Sequence, residues 1–209
     1  ALYNLNGEYD EAIQFLNTHH FRTWEGGREI YWHYVDTHTL KAVELMKAKE
    51  YESSITHLDS ALLYPENLEV GKASDGERNA LIYYYLGEAY TKMGKSKKAR
   101  ESYQKSVASE NRRGMYDLLD YQAKSYAKLG ETDKATEIFQ SLIGQGKELR
   151  ERGVDNTLIA VEEGSSRDNK AISLSYFLEA LDNQGLENEE EVQRLFQAAL
   201  EEYNLNFWA

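Results

Sequence analysis

Residues Asn79 to Leu142 read NALIYYYLGEAYTKMGKSKKARESYQKSVASENRRGMYDLLDYQAKSYAKLGETDKATEIFQSL, and the second half of this stretch repeats the first. Leu86, Gly87, Tyr90, Gly94, Ala99 and Tyr103 are matched by Gln122, Ala123, Tyr126, Gly130, Ala135 and Phe139, each pair 36 residues apart. Tyr83, Leu86 and Tyr90 fall at i, i+3 and i+7, which is one apolar face of a helix. Gly87 is small enough for a second helix to lie close against the first. Gly94 stands where that first helix ends, a place that a left-handed residue suits. Ala99 and Tyr103 then share one face of the next helix at i and i+4. The pattern predicts two consecutive antiparallel helix pairs. A single pair cannot bury its apolar face alone, so more copies are expected on either side.

The order L-G-x2-Y followed by A-x3-F/Y resembles the tetratricopeptide repeat, whose period is about 34 residues. That resemblance implies an all-α chain, a right-handed superhelix of antiparallel helix pairs. It also implies a non-enzymatic module for protein–protein interaction.

Working outward, residues 1–20 read as a half-repeat, with Tyr9, Ala12 and Leu16 at second-helix positions. The loop HHFRTWEGGR at His19–Arg28 follows, marked by Gly-Gly and the loss of period. A repeat over about 29–65 has Ala42 and Leu45 on its first helix and Tyr51, Ser54, Leu58 and Ala61 on its second. Pro65 ends that helix. The spacing from Tyr9 to Tyr51 requires an insertion of roughly eight residues, and that from Lys49 to Gly94 one of about eleven, relative to the ordinary period. Two clean repeats occupy about 77–111 and 113–146. Residues 144–209 read as a divergent helical cap. Part of it extends the preceding helix through Arg152. Ala171, Leu174, Phe177, Leu178 and Leu181 carry a helical stripe, and Asn188 with Glu191 forms a capping box before Val192, Leu195, Phe196 and Ala199.

The single proline among 209 residues agrees with a helical chain, because proline inside a helix costs about 3 kcal/mol. The net charge of −12, with no long basic run, argues against nucleic acid and anionic membrane surfaces. There is no cysteine, hence no disulfide framework and no thiolate metal site. No apolar run of about 18 residues is present to span a bilayer. The compartment stays open, and no cofactor is expected. The chain opens inside a repeat, so we expect a fragment of a larger protein, with any export signal upstream.

Two further segments are specific: FRTWEGGREIYWHYVDTH at Phe21–His38 and YPENLEVGK at Tyr64–Lys72. With the repeats that follow, they resemble a bacterial family in which a domain of unknown function, DUF5107, precedes a tetratricopeptide array. The resemblance covers about residues 1–143. It implies a β-rich N-terminal portion, outside this chain, related to carbohydrate-active enzymes. It brings no catalytic residue to this region.

In a tetratricopeptide array the first helices line the concave face. By repeat position, that face takes Leu81, Tyr84, Glu88 and Thr91, then Asp117, Asp120, Lys124 and Ala127, and before them Asp36, Thr39, Val43 and Met46. A groove with an aromatic floor at Tyr84 and acidic walls at Glu88, Asp117 and Asp120 would suit a positively charged peptide or domain. That partner could be foreign or the parent protein's own N-terminal domain. The alternative is a face that is solvated or covered by the chain's own C-terminal helices. Gripping a partner's C-terminal carboxylates is excluded, because Tyr84, Glu88 and Asp120 stand where Lys and Asn would be needed.

His33 and His38, with Asp36 between them, are the only metal candidates. Five residues separate the two rings by about 140° around a helix, so no metal is expected. His19-His20 reads as a loop feature. Gly144-x-Gly146-Lys147 lacks the strand and spacing of a phosphate loop. Phe21, Trp24, Tyr31 and Trp32 could form a sugar-stacking platform for an accessory domain of a carbohydrate-active enzyme. The favoured reading is that these rings staple the inserted loop to the first helices. Self-association through an uncovered apolar edge of the half-repeat is a further expectation.

Overall fold

The computed structural model describes residues 2–21, 29–69, 78–110, 117–156, 173, 175–177, 179–180, 183 and 189–202. Apart from one 3-10 turn at Glu66–Leu68, the regular structure among the described residues is α-helical, as the periodicity predicts. The helices are α1 (Leu2–Leu5), α2 (Tyr9–Thr18), α3 (Glu29–Lys47), α4 (Tyr51–Ala61), α5 (Asn79–Lys92), α6 (Ser96–Ala108), α7 (Asp117–Leu129) and α8 (Thr132–Asn156), followed by a last helix at Glu189–Glu202. Two compact units form, one of residues 1–113 with 128–130, the other of 114–127 with 131–209.

The turn inside each helix pair is the same device four times. Gly7, Lys49, Gly94 and Gly130 all have positive φ, at 74°, 66°, 70° and 84°. The residue after each donates its N–H back to a carbonyl five positions earlier: Glu8 to Tyr3 at 2.9 Å, Glu50 to Leu45 at 2.8 Å, Lys95 to Tyr90 at 2.9 Å and Glu131 to Tyr126 at 2.9 Å. This closure satisfies carbonyls that the helix end would otherwise leave open. Lys49 adopts the same conformation without glycine's freedom, so the turn is imposed by the packing of α3 on α4 rather than by residue choice.

That packing rests on a small residue facing a large one. Gly87 is buried on α5, with Tyr103 of α6 against it, 4% exposed. A Cβ at Gly87 would stand 2.6 Å from Cδ1 and 2.8 Å from Cζ of Tyr103, and closer still to Cε1. The ring cannot easily retreat. Its hydroxyl donates to Glu88 Oε1 at 2.6 Å and lies 3.0 Å from Thr91 Oγ1. The same intervals recur elsewhere. Ala42 is followed at 12, 16 and 19 positions by Ser54, Leu58 and Ala61, all four buried. Ala123 is followed likewise by Ala135, Phe139 and Leu142, again all buried.

The C-terminal region keeps these intervals too. Ala180, Val192, Phe196 and Ala199 stand in the same relation; three are buried and Phe196 is half-buried. Phe177 and Phe196 pack with ring centroids 5.9 Å apart. Ser173 Oγ donates to the Ala199 carbonyl at 2.7 Å, across 26 residues. Ser106 Oγ donates to the Ala80 carbonyl at 2.8 Å, also across 26 residues. The described residues of this region thus keep the intervals of the earlier helix pairs. The preceding α8 runs to Asn156, past the expected limit at Arg152 and through the boundary placed at 143. The capping Asn188, the stripe positions 171, 174, 178 and 181, and Trp24 lie outside the described residues.

In the first unit, residues 64–68, which follow α4, are pinned to the core. Tyr64 stacks on Tyr31 with centroids 4.1 Å apart. Asn67 Nδ2 donates to the carbonyls of Leu16 at 2.7 Å and His19 at 2.8 Å, closing the end of α2. Leu68 is 1% exposed in the main core with Leu16, Val35, Leu58 and Ile82. The Y-P-E-N-L segment is thus a structural clasp.

Gly87→Ala should destabilise the chain. Overpacking against a held ring costs about 1–3 kcal/mol, against about 1 kcal/mol of helix propensity gained. Urea unfolding should show a net loss of up to about 2 kcal/mol. Adding Tyr103→Leu, which recreates the Ala42/Leu58 arrangement, should remove the clash, so its own cost should be smaller in the Gly87→Ala background than alone.

Candidate functional site

The residues placed on the first-helix face divide by burial. Asp36, Thr39 and Leu81 are 2%, 0% and 1% exposed, so they do not present an open wall. Asp36 Oδ1 lies 2.9 Å from the Arg78 guanidinium just ahead of α5, both side chains largely out of solvent. The same guanidinium sits 6.0 Å from the Trp32 ring centre. The pair ties α3 to the start of α5, two helices that are in direct contact. Thr39 Oγ1 donates to the Val35 carbonyl at 2.8 Å, within its own helix. These polar residue types read as solvent-facing in the sequence; the close approach of neighbouring first helices covers them.

Val43, Tyr84 and Glu88 remain half-buried. Tyr84 leans on Tyr85 and Tyr103, with centroids 5.3 Å and 6.2 Å away. Glu88 accepts the Tyr103 hydroxyl and pairs with Lys128 at 2.8 Å. Burial, reinforced by the Glu88 carboxylate, raises the Tyr103 phenol well above its ordinary range, so it stays a donor. In the second unit Asp120 is 0% exposed and pairs with Lys124 at 2.8 Å. Asp117 opens α7, and its side chain lies outside the described residues. The expectation of acidic walls for a cationic partner is therefore corrected. Asp36, Glu88 and Asp120 each already hold a cation of the same chain, and among the described groove residues Val43, Tyr84, Glu88 and Lys124 are half-buried while Thr91 and Ala127 are exposed.

The aromatic segment is likewise turned inward. Tyr31 is buried, and Phe21 and Trp32 pack against the main core. His19 stacks on Phe15 at 5.0 Å, and His20 Nε2 lies 2.7 Å from Glu69 Oε1. Gly144 and Gly146 lie within α8, so no phosphate loop forms there.

His38 faces His57 of α4, not His33, with Nδ1 to Nδ1 at 3.1 Å. One ring must accept, so at least one of the two is neutral. The 19-residue separation spans the α3–α4 turn, and no local spacing reveals it. Burial, then the neighbouring His57, lowers the pKa of His38 to about 4. Burial and Lys41 lower that of His57, while Asp10 pulls it upward. Lys41 itself bridges Asp10 at 2.9 Å and Glu44 at 2.8 Å. No cluster of three or more metal-ligating side chains occurs among the described residues. Nor, among them, is any helix long and apolar enough to cross a membrane.

One tetratricopeptide-repeat family model matches residues 80–112 and a second matches residues 117–145. Each match covers one of the two helix pairs in which the period was read, so this region is of tetratricopeptide type. The chain is also similar to one described as the crystal structure of MamA, with a TM-score of 0.32 and 19% identity over 97% of this chain and 92% of that one.

The histidine pair makes stability pH-dependent with a definite sign. The unfolded chain takes up a proton on His38 near histidine's ordinary value of 6.5, whereas the folded chain resists until about 4. Stability is therefore full above the unfolded value and is lost as pH falls through that window, by on the order of 3 kcal/mol. His38→Gln should flatten the difference between urea midpoints at pH 7 and pH 4.5. An unchanged pH dependence in the variant would contradict the pairing.

Proposed function

We propose that the chain is a non-enzymatic interaction module of tetratricopeptide type, and that it docks a protein or peptide on the first-helix face around Tyr84. The observation carrying this reading is the half-open apolar surface of Val43 and Tyr84 on a face where Asp36, Glu88 and Asp120 are already paired. A surface of that kind recognises shape and apolar contact rather than net charge, as aromatic anchors do at the centres of interfaces. The partner of first choice is a further domain of the same polypeptide, in keeping with the DUF5107-type resemblance. Leu2, Tyr3 and Phe15, exposed at 73%, 45% and 45%, would support self-association as a second mode. The sugar-site reading gains nothing from Phe21, Tyr31 and Trp32, which pack against the core.

Immobilised wild-type chain and a Tyr84→Ala variant should be compared for capture, first of the parent protein's N-terminal portion, then of proteins from a lysate. Truncating a central aromatic anchor costs roughly 2 kcal/mol or more, so partner retention should fall by about tenfold or more. Equal retention by both forms would place the docking surface elsewhere.

A further inference from the structure

A second surface, built from α4, α5 and α6, carries a different chemistry. A cavity of about 240 Å³ opens between these helices, lined by Asp59, Leu62, Tyr83, Leu86, Tyr90, Lys98, Glu101, Ser102 and Lys105. Its floor is apolar: Leu86 is 5% exposed, and Leu62, Tyr83 and Tyr90 are half-buried against the main core. Its rim carries two exposed ammonium groups held over aromatic rings, Lys98 5.3 Å from the Tyr90 centre and Lys105 5.4 Å from that of Tyr83. Cation–π contact positions an ammonium without neutralising it, so both remain able to meet an anion. Seven residues apart on α6, they stand about 10 Å from each other along the helix.

The surrounding charge is unlike the rest of the chain. Lys92, Lys95, Lys97, Lys98, Arg100 and Lys105 fall within fourteen residues that hold a single carboxylate, Glu101, in a chain of net charge −12. Across the cavity, burial raises the Asp59 carboxyl above its ordinary range, with Lys105 and Lys98 pulling it back down.

We propose that this pocket docks a short acidic peptide segment, one apolar side chain entering between Leu62, Tyr83, Leu86 and Tyr90 while Lys98 and Lys105 engage carboxylates on either side of it. The apolar floor supplies affinity and the paired cations supply register. The apolar floor calls for one side chain flanked by carboxylates, which a peptide offers, and Asp59 and Glu101 limit how many anions the pocket accepts. The site is separate from the first-helix face, since Tyr84 does not line it.

The test is titration of the ¹⁵N-labelled chain with the capped peptide Asp-Asp-Phe-Asp-Asp. Shifts should concentrate at Tyr83, Tyr90, Lys98 and Lys105, with a Kd on the order of 1 mM or tighter that weakens as salt is raised. Lys98→Glu combined with Lys105→Glu should weaken binding roughly tenfold. Both lysines are exposed, so the variant should keep its helical circular dichroism. Tyr84→Ala should leave peptide binding unchanged, which separates this site from the face proposed above. The inference is overturned if the peptide gives no shifts, if Lys-Lys-Phe-Lys-Lys or Asp-Asp-Gly-Asp-Asp binds as well, or if the charge reversal has no effect. It is also overturned if a thymidine decanucleotide binds these residues more tightly, or if sedimentation shows a second copy of the chain occupying them.

Discussion

The close approach of Tyr103 to Gly87 is the contact on which the array depends. An antiparallel helix pair holds together only if one helix offers a gap and the other fills it, and here both are fixed by sequence interval. The gap at Gly87 is filled sixteen positions later by Tyr103, that at Ala42 by Leu58, and that at Ala123 by Phe139; Ala180 and Phe196 keep the same interval. The left-handed turn between the helices makes that interval workable, because it reverses the chain in a single residue. Where the large residue is a tyrosine, its hydroxyl also recruits Glu88 and Thr91, so packing at one position sets the polar arrangement of the neighbouring face.

Insertions are absorbed at the outer ends of pairs, leaving these intervals intact. The segment after Pro65 shows how. Asn67 closes the end of α2, Leu68 enters the core, and Tyr64 stacks on Tyr31. The Y-P-E-N-L stretch, specific in the sequence, is a clasp between the half-repeat and its neighbour.

The helix pairs, their turns and the small-to-large contacts were legible because they rest on local spacing and residue size. Gly94 and Gly130 announce their turns. Lys49 does not, and only its place in the repeat predicts it. The C-terminal helical stripes were legible but not their kinship with the repeats, because Val192 replaces the usual small residue and about two dozen extra residues precede it, so the period is lost. The site was less legible for a physical reason. Asp36, Thr39 and Asp120 are residue types that usually face water, and their burial follows from how closely neighbouring elements approach. The His38–His57 pair crosses a helix turn and has no local signature. The Lys98–Lys105 surface has no local signature, because the apolar floor between its lysines comes largely from α4 and α5.

The central claim is that polar residues on the first-helix face act as internal braces, leaving an aromatic rather than an acidic docking surface. The most direct measurement is a double-mutant cycle on Asp36→Asn and Arg78→Met, read by urea unfolding at neutral pH. A brace between two largely buried groups predicts a coupling of about 1.5 kcal/mol or more. Additivity within about 0.5 kcal/mol would contradict the account, and would return Asp36 to the open wall of an acidic groove.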